Sequence, residues 1–453
     1  MMRRLLPTTK LLGSTTGISL ASTKSPDTER LERLVEEVNG IKSKLKVLEE
    51  SKAANGLVDL YASRKMKRLD IKRILAIFND RAYHAPIFCH KALPIILAHF
   101  ITGLDRLPSG LNAMPSILAV RATLLHSFQK LINCKIPATD DQVQHFCRVL
   151  EDIDEEHAER NLLQTMAFGI LELKEYVSSH RRALVDLKKT SERWASIPMT
   201  EENVLTYAEI QEIQAPLDSV NRCMITYNFI SRMFLNHDPD MTTCSNPRHI
   251  GMVDLEMNLE HVVRNAVDEA KQICTDHYGD CPDTEFELTS DSKAFRFPYM
   301  STTIRYIILE LMKNAFRATV ESHMKRNEVG MVTCADMPPI RVLINLQEGT
   351  EHACICISDE GMGMTDEALA MAMAYSYTSV SKPALQLGES GERCGSTTPS
   401  PLAGYGYGLP MSRVYAQSLG GDLFLQTMEG YGTRAYYYIK IADAQPLCDE
   451  ETK

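Results

Sequence analysis

Hydrophobic and polar positions keep a helical period through the first half of the chain and then change it. From about Val58 to His237, apolar residues return every three or four positions through "LPIILAHFITGL", "PSILAVRATLLHSFQKLI", "VQHFCRVLEDIDEEHAERNLLQTMAFGILELKEYV" and "NVLTYAEIQEIQAPLDSVNRCMITYNFISRMFLNH". This spacing draws one apolar stripe along each of several long helices. With short connections bearing Pro, Gly or Asp, it predicts an antiparallel helical bundle of the four-helix type over residues 58–237. "NHDPDMTTCSNPRHIG" is dense in turn formers and predicts a linker at 238–252.

After the linker the pattern mixes periods. "VDLEMNLEHVVRNAVDEAKQICTDHY" reads as a helix, "EFELTS" as a strand, and Ser301 to His323 as a helix with Ser and Thr available to cap it. "IRVLINLQ" and "HACICIS" alternate as strands, and "DLFLQTM" with "TRAYYYIK" closes the chain as a pair around "EGYGT". Strands on one side and helices on the other predict a two-layer α/β sandwich over residues 253–441, so the fold class is α+β, bundle first and sandwich second. Cys354 and Cys356 read as one face of a buried strand.

The ends behave differently. Leu31, Leu34, Val38, Ile41, Leu45 and Leu48 recur in heptad fashion over residues 27–52, a helix that either pairs with a partner or docks on the protein's own surface. Residues 1–25 carry Arg3, Arg4, Lys10 and Lys24, many Ser and Thr, and no acid before Asp27. That is the composition of a mitochondrial presequence, a disordered basic tail being the plain alternative. No segment is expected to reach the ~18 apolar residues of a membrane span. Residues 442–453 form a polar tail.

Composition narrows the function. At 453 residues with 44% hydrophobic positions the chain supports two cores, and a net charge of -10 without a dense basic stripe argues against nucleic acid as a partner. Twelve cysteines, without a CxxC, fit reduced thiols in an intracellular compartment.

The candidate chemistry sits in the second half. On the helix carrying "ELMKNAFRATVESH", Ile304, Ile307, Ile308, Leu311 and Ala315 share one stripe, and Glu310, Asn314, Arg317 and Glu321 share the adjacent one. "DEGMGM" follows the strand "HACICIS"; its glycines let backbone approach a ligand, and Asp359 can accept a hydrogen bond from an adenine amino group. "GYGYGLP", from Gly404 to Pro410, opens a helix whose first N–H groups suit phosphate, and Thr433 in "EGYGT" adds a hydroxyl near the base. Asn314 can offer a neutral oxygen to Mg²⁺, and Glu310, one turn earlier, can act as base toward a hydroxyl attacking the γ-phosphate. Each piece alone is a weak signal, since a turn, a mobile loop or a solvated helix face would produce it. Their order along one sandwich makes an ATP site the better account. The eukaryotic kinase signatures and the P-loop are both missing. The polar, Gly/Ser/Pro-rich stretch from Ser381 to Ala403 is either a lid or simple disorder.

The stretches "ELMKNAFRATVESH", "SDEGMGM", "YSYTS", "PLAGYGYGLPMSRVYAQSLGGDLFLQTMEGYGT", "ALPIILAHFITGLDRLP" and "TMAFGILELK" resemble those of the mitochondrial pyruvate dehydrogenase and branched-chain 2-oxoacid dehydrogenase kinases. These kinases belong to the histidine kinase, gyrase and chaperone ATPase superfamily. The resemblance covers roughly Val58 to Lys440. It implies a protein-serine kinase of the mitochondrial matrix that inactivates a 2-oxoacid dehydrogenase through its α-subunit, pyruvate dehydrogenase favoured and the branched-chain enzyme the alternative. It implies docking of the bundle on the lipoyl domain of the acyltransferase core, homodimerisation through the nucleotide domain, ATP and Mg²⁺ as cofactors, and K⁺ as an optional addition held by backbone carbonyls near the loop. Position by position, Glu310 resembles the general base and Asn314 the magnesium ligand, while Arg317, Asp359, Thr378, Ser379, Gly404, Tyr405, Gly406, Tyr407, Gly408, Leu409 and Thr433 resemble nucleotide contacts.

There are departures from the family pattern. Tyr306 stands one turn before the base, where pyruvate-type kinases commonly have histidine, and the single tryptophan, Trp194, lies in the bundle rather than in a C-terminal tail. His157 falls two residues from the family's usual histidine position and is expected to be an ordinary solvated side chain. Arg434 stands where an acid is frequent, without explanation. Two other functions stay open: a histidine kinase, and an ATP-gated binding module that performs no phosphate transfer.

Overall fold

The computed structural model describes residues 54–66, 70–79, 84–108, 110–188, 207–236, 248–289, 296–327, 336–346, 350–375, 377 and 406–441. The chain divides into two units between Gly56 and Leu57; of the first, residues 54–56 are described and helical. The expected presequence, the heptad-like helix at 27–52, Trp194, most of the linker, the 381–403 stretch and the tail lie outside the described residues.

Among the described residues of the first half of the larger unit, the helical period yields α1 (Ile71–Asn79), α2 (His84–Asp105), α3 (Pro115–Asn133), α4 (Asp140–Glu159), α5 (Leu162–Lys188) and α6 (Tyr207–Leu235). α2 packs chiefly on α6 and α3, and α3 on α5. The apolar stripes meet as expected, with Leu93, Leu97 and Ile101 of α2, Leu124 and Phe128 of α3 and Leu217 of α6 fully buried. Gly169 lets α5 approach Ile117 of α3 closely, since a Cβ there would stand 2.6 Å from its Cγ1.

Two expectations are corrected here. Within α2, Ala85–Asp105 is long and apolar enough by composition to cross a membrane, with 21 residues and mean hydropathy 1.6, contrary to the expectation that no segment is. Half of its apolar window is buried in the protein, as a core helix of a bundle would be. His157 is not solvated. It lies buried between helices, its Nε2 2.9 Å from the Ser127 hydroxyl and its ring 5.5 Å from that of Tyr227. Burial lowers its pKa to about 4, because a charged imidazolium would lose its water, and the neighbouring Glu156 and Asp154 only partly offset this.

In the second half, the short β1 (His249–Ile250), β2 (Val253–Met257) and β4 (Phe297–Tyr299) form an antiparallel three-stranded sheet. The main sheet has five strands: β3 (Thr284–Leu288), β5 (Ile340–Asn345), β6 (His352–Asp359), β7 (Asp422–Met428) and β8 (Gly432–Lys440), in the order β3-β5-β6-β8-β7. Only β3 and β5 run parallel. Four helices complete this half: α7 (Leu259–Tyr278), α8 (Ser301–Asn327), the short α9 (Asp366–Ala372) and α10 (Gly408–Ser418).

Alternation decides which sheet face meets the helices. Val342 and Ile344, Ala353, Ile355 and Ile357, and Tyr437 and Ile439 are buried, and the sheet packs on α8 through β6 and on α10 through β7 and β8, giving the two layers the alternating pattern required. Cys354 and Cys356 share the opposite side of β6, Cys354 half-buried and Cys356 buried. All eight described cysteines are free thiols.

Candidate active site

The helix α8 divides its two stripes as its spacing demands. Ile304, Ile307, Ile308, Leu311 and Ala315 are buried, which fixes the helix rotation, while Glu310, Asn314, Arg317 and Glu321 turn into a cleft of about 460 Å³. The other walls are the glycine turn after β6, the start of α10, α9 and the β7–β8 hairpin.

Glu310 is mostly withdrawn from solvent and receives the Lys313 ammonium on Oε1 at 2.5 Å, an i,i+3 pair. Across the cleft the first residue of α10 is Gly408, and a Cβ at that position would collide with the Glu310 carboxylate. Glycine there permits the helix start to approach the carboxylate. The N-cap is Tyr407, and the first helical bond runs from Met411 N–H to Tyr407 C=O at 3.0 Å. A helix start leaves its first N–H groups without intrahelical partners, so Tyr407, Gly408 and Leu409 can offer backbone donors to an anion, Pro410 having none.

Asp359 ends β6 and is buried. Its Oδ1 accepts the N–H of Gly361 at 3.0 Å and of Thr433 at 3.2 Å, tying the glycine turn to β8. Burial pushes its carboxyl up from 3.8 to about 6, and those two N–H groups pull it back only partly. Gly361 is needed because a Cβ would stand 2.9 Å from both Ala318 Cβ of α8 and Asp359 Oδ1. Thr427 completes the turn: its hydroxyl accepts the N–H of Met364 at 3.0 Å and lies 3.0 Å from the Thr433 hydroxyl.

The structure therefore brings Glu310, Asn314, Arg317, Asp359, Gly406, Gly408, Leu409 and Thr433 around one cleft. Thr378, Ser379, Gly404 and Tyr405 lie outside the described residues. Tyr407 is brought to the rim by its backbone alone; its side chain is buried on the far side, ring against ring with Tyr375 at 4.8 Å. Tyr306 packs its ring at a tilt against that of Tyr415 of α10, centroids 4.9 Å apart, and burial, with the charge of Glu310, holds its phenol well above the ordinary value. Arg434 is exposed on β8 and nothing in the structure explains it.

Several residues of the site were not singled out from sequence: Lys313, Ala318, Lys325, Met362, Ala372, Tyr377 and Thr427. Lys313 carried a signal, its i+3 spacing from Glu310. Thr427 carried none, since its role depends on the pairing of β7 with β8.

A sandwich with this mixed sheet and glycine-walled cleft defines an ATP-binding domain, and residues 300–443 match the family model described as histidine kinase-, DNA gyrase B- and HSP90-like ATPase. Residues 66–254 match that described as mitochondrial branched-chain alpha-ketoacid dehydrogenase kinase. The [pyruvate dehydrogenase (acetyl-transferring)] kinase, mitochondrial, of Arabidopsis thaliana is 30% identical over 360 residues, 79% of this chain and 85% of its own length. Isozyme 3 of Mus musculus is 29% identical over 399 residues, 86% and 84% of the two chains, and the Drosophila melanogaster kinase 29% over 398 residues, 85% and 84%. The chain belongs to the family of mitochondrial 2-oxoacid dehydrogenase kinases.

Proposed function

We propose that the protein is a Mg²⁺-dependent protein-serine kinase of the mitochondrial matrix that uses ATP to phosphorylate, and so inactivate, the α-subunit of pyruvate dehydrogenase. The observation that carries this is the opposition of Glu310 and Asn314 on α8 to the backbone donors at the start of α10 within one cleft. The relatives' names supply the target.

In this mechanism Glu310 takes the proton from a substrate serine hydroxyl as its oxygen bonds to the γ-phosphorus. The bond from that phosphorus to the β–γ bridging oxygen breaks, leaving phosphoserine and ADP. Lys313, paired with Glu310 Oε1, holds the carboxylate in position. Asn314 would hold Mg²⁺, which supplies positive charge to the phosphate oxygens. The donors of Tyr407, Gly408 and Leu409 orient phosphate, and Asp359 accepts the adenine amino group. The cleft is of a size usual for such ligands, and its donors and acceptors are of the kind the nucleotide requires.

The same proposal gives residues 58–237 the docking of the lipoyl domain and residues 253–441 the chemistry. It makes the bare sheet face a homodimer contact, with Phe424, Met428 and Tyr438 exposed around it. A monovalent cation near the α10 loop would appear as nucleotide affinity that differs between K⁺ and Na⁺.

The test offers purified protein, labelled ATP and the two dehydrogenases separately. Acid-stable phosphoserine on the pyruvate dehydrogenase α-subunit is expected, and Glu310→Gln should lower transfer by about 10²- to 10⁴-fold while retaining nucleotide. Label on a histidine, or an unchanged Glu310→Gln protein, would remove the proposal. The branched-chain enzyme is the second reading, favoured by Tyr306 and by the description of the model matching residues 66–254; preferential labelling of that enzyme would establish it.

A further inference from the structure

The bundle helix α6 reaches the rear of the cleft through a set of buried and half-buried polar contacts. Asn221, fully buried, donates from Nδ2 to the Tyr375 hydroxyl at 2.9 Å and to the Tyr407 hydroxyl at 3.5 Å. The Tyr375 hydroxyl donates to Asp218 Oδ1 at 2.8 Å. Gln214 grips the same segment by its backbone, accepting the Tyr375 N–H on Oε1 at 3.1 Å and donating from Nε2 to the Met373 carbonyl at 3.1 Å. Gln214, Asp218 and Asn221 recur at spacings of four and three, so one face of α6 presents all three.

What they hold is the frame of the nucleotide site. Tyr407 is the N-cap of α10, flanked by Gly406, which has φ 70°, and by Gly408, which lies against Glu310. Two glycines leave this turn intrinsically free, and the Tyr407 side chain between them is its anchor. Tyr375 follows α9, and Ala372 and Tyr377 on either side of it line the cleft. Gly406, Gly408, Ala372 and Tyr377 are thus each within three residues of a tyrosine gripped by α6. A short second cavity of about 170 Å³, walled by Gln214, Asp218, Met373, Arg413 and Gln417, opens beside this network, and Pro410 borders both it and the cleft.

We propose that Asn221 and Asp218 are positioning residues for the nucleotide: through Tyr375 and Tyr407 they set the turn that presents the Tyr407, Gly408 and Leu409 N–H groups to phosphate. This rests on the ATP reading of the cleft. It differs from a merely structural role, because an anchor needed only for the fold would affect stability and leave nucleotide affinity alone. Oxygen Oδ1 of Asn221 is buried without a partner in the described residues, a cost the fold bears at this junction.

The test measures Kd for Mg-ATP, KM for ATP, kcat at saturating ATP and melting temperature on the full chain. Asp218→Ala and Tyr375→Phe should each raise Kd and KM about fivefold to tenfold, the worth of one buried hydrogen bond, with kcat changed less than about twofold. Asp218→Asn keeps an acceptor for the Tyr375 hydroxyl and should restore Kd to near the native value. Asn221→Ala combined with Tyr375→Phe should be less than additive. Unchanged Kd with a lowered melting temperature, or Asp218→Asn as weak as Asp218→Ala, would overturn the proposal. Where Asp218→Ala fails to fold, Tyr375→Phe, which retains the ring, decides it. If the native protein itself binds no Mg-ATP, the ATP reading has failed, and that outcome is separate from all of these.

Discussion

The α-carbon of Gly408 lies against the carboxylate of Glu310, so that a Cβ at position 408 would stand 3.2 Å from Glu310 Cδ and overlap its Oε2. Alanine is otherwise acceptable at the first position of a helix. Gly408→Ala should therefore fold with a melting temperature near the native one yet displace the carboxylate, which is the flexible end of its side chain. Phosphate transfer should fall by about 10²-fold or more, as when a catalytic base is misplaced, and a steady-state assay beside a thermal melt checks both halves.

Asn314 faces the same cleft one turn further along α8. Asn314→Ala should weaken ATP binding at least about tenfold when Mg²⁺ is present. With EDTA in place of Mg²⁺, native and variant proteins should bind ATP alike. Calorimetry under the two conditions separates a metal role from a direct contact with nucleotide.

Asp359 offers a prediction in pH. Its folded pKa is raised from 3.8 to about 6, so ionisation opposes folding: the penalty is absent below pH 4, grows as pH rises through 4 to 6, and is complete above. The gap corresponds to up to about 3 kcal/mol. Asp359→Asn, whose amide oxygen can still accept the Gly361 and Thr433 N–H groups, should gain stability relative to the native protein over that window. It should also lose adenine-nucleotide affinity, because its amide NH₂ would face the adenine amino group. Urea melts from pH 4 to 7.5, with ADP titrations at pH 7.5, test both.

His157 acts in the opposite sense. Its folded pKa is lowered to about 4 from 6.5, so folded protein loses stability as pH falls from 6.5 to 4, when the unfolded chain gains a proton that the buried imidazole refuses. The loss should approach about 3 kcal/mol. His157→Gln should flatten the acid limb of the stability curve, and equal slopes in the two proteins would disprove the assignment.

Much of this site was legible in the sequence because it depends on local spacing. The stripe from Ile304 to Ala315 and the polar stripe beside it follow from 3.6 residues per turn, and the strands follow from period two. What escaped depended on distant partners. The alternation in "GYGYGLP" says that the turn is glycine-rich, but the direction of the Tyr407 ring is set by Asn221, 186 positions away. Burial of His157 likewise depends on α3 and α6 closing over α4, which no window of α4 records. Cys354 and Cys356 do share one face of a largely buried strand, as their alternation demands, but alternation alone does not say which side of a sheet the helices cover. In α2 the apolar run was underestimated because His90, Lys91 and His99 interrupt it.

Pro410 lines both the cleft and the small cavity beside α6. A compound lodged in the small cavity would press on the start of α10 from behind; if the cleft takes ATP as proposed, its effect would not be titrated away by raising the nucleotide.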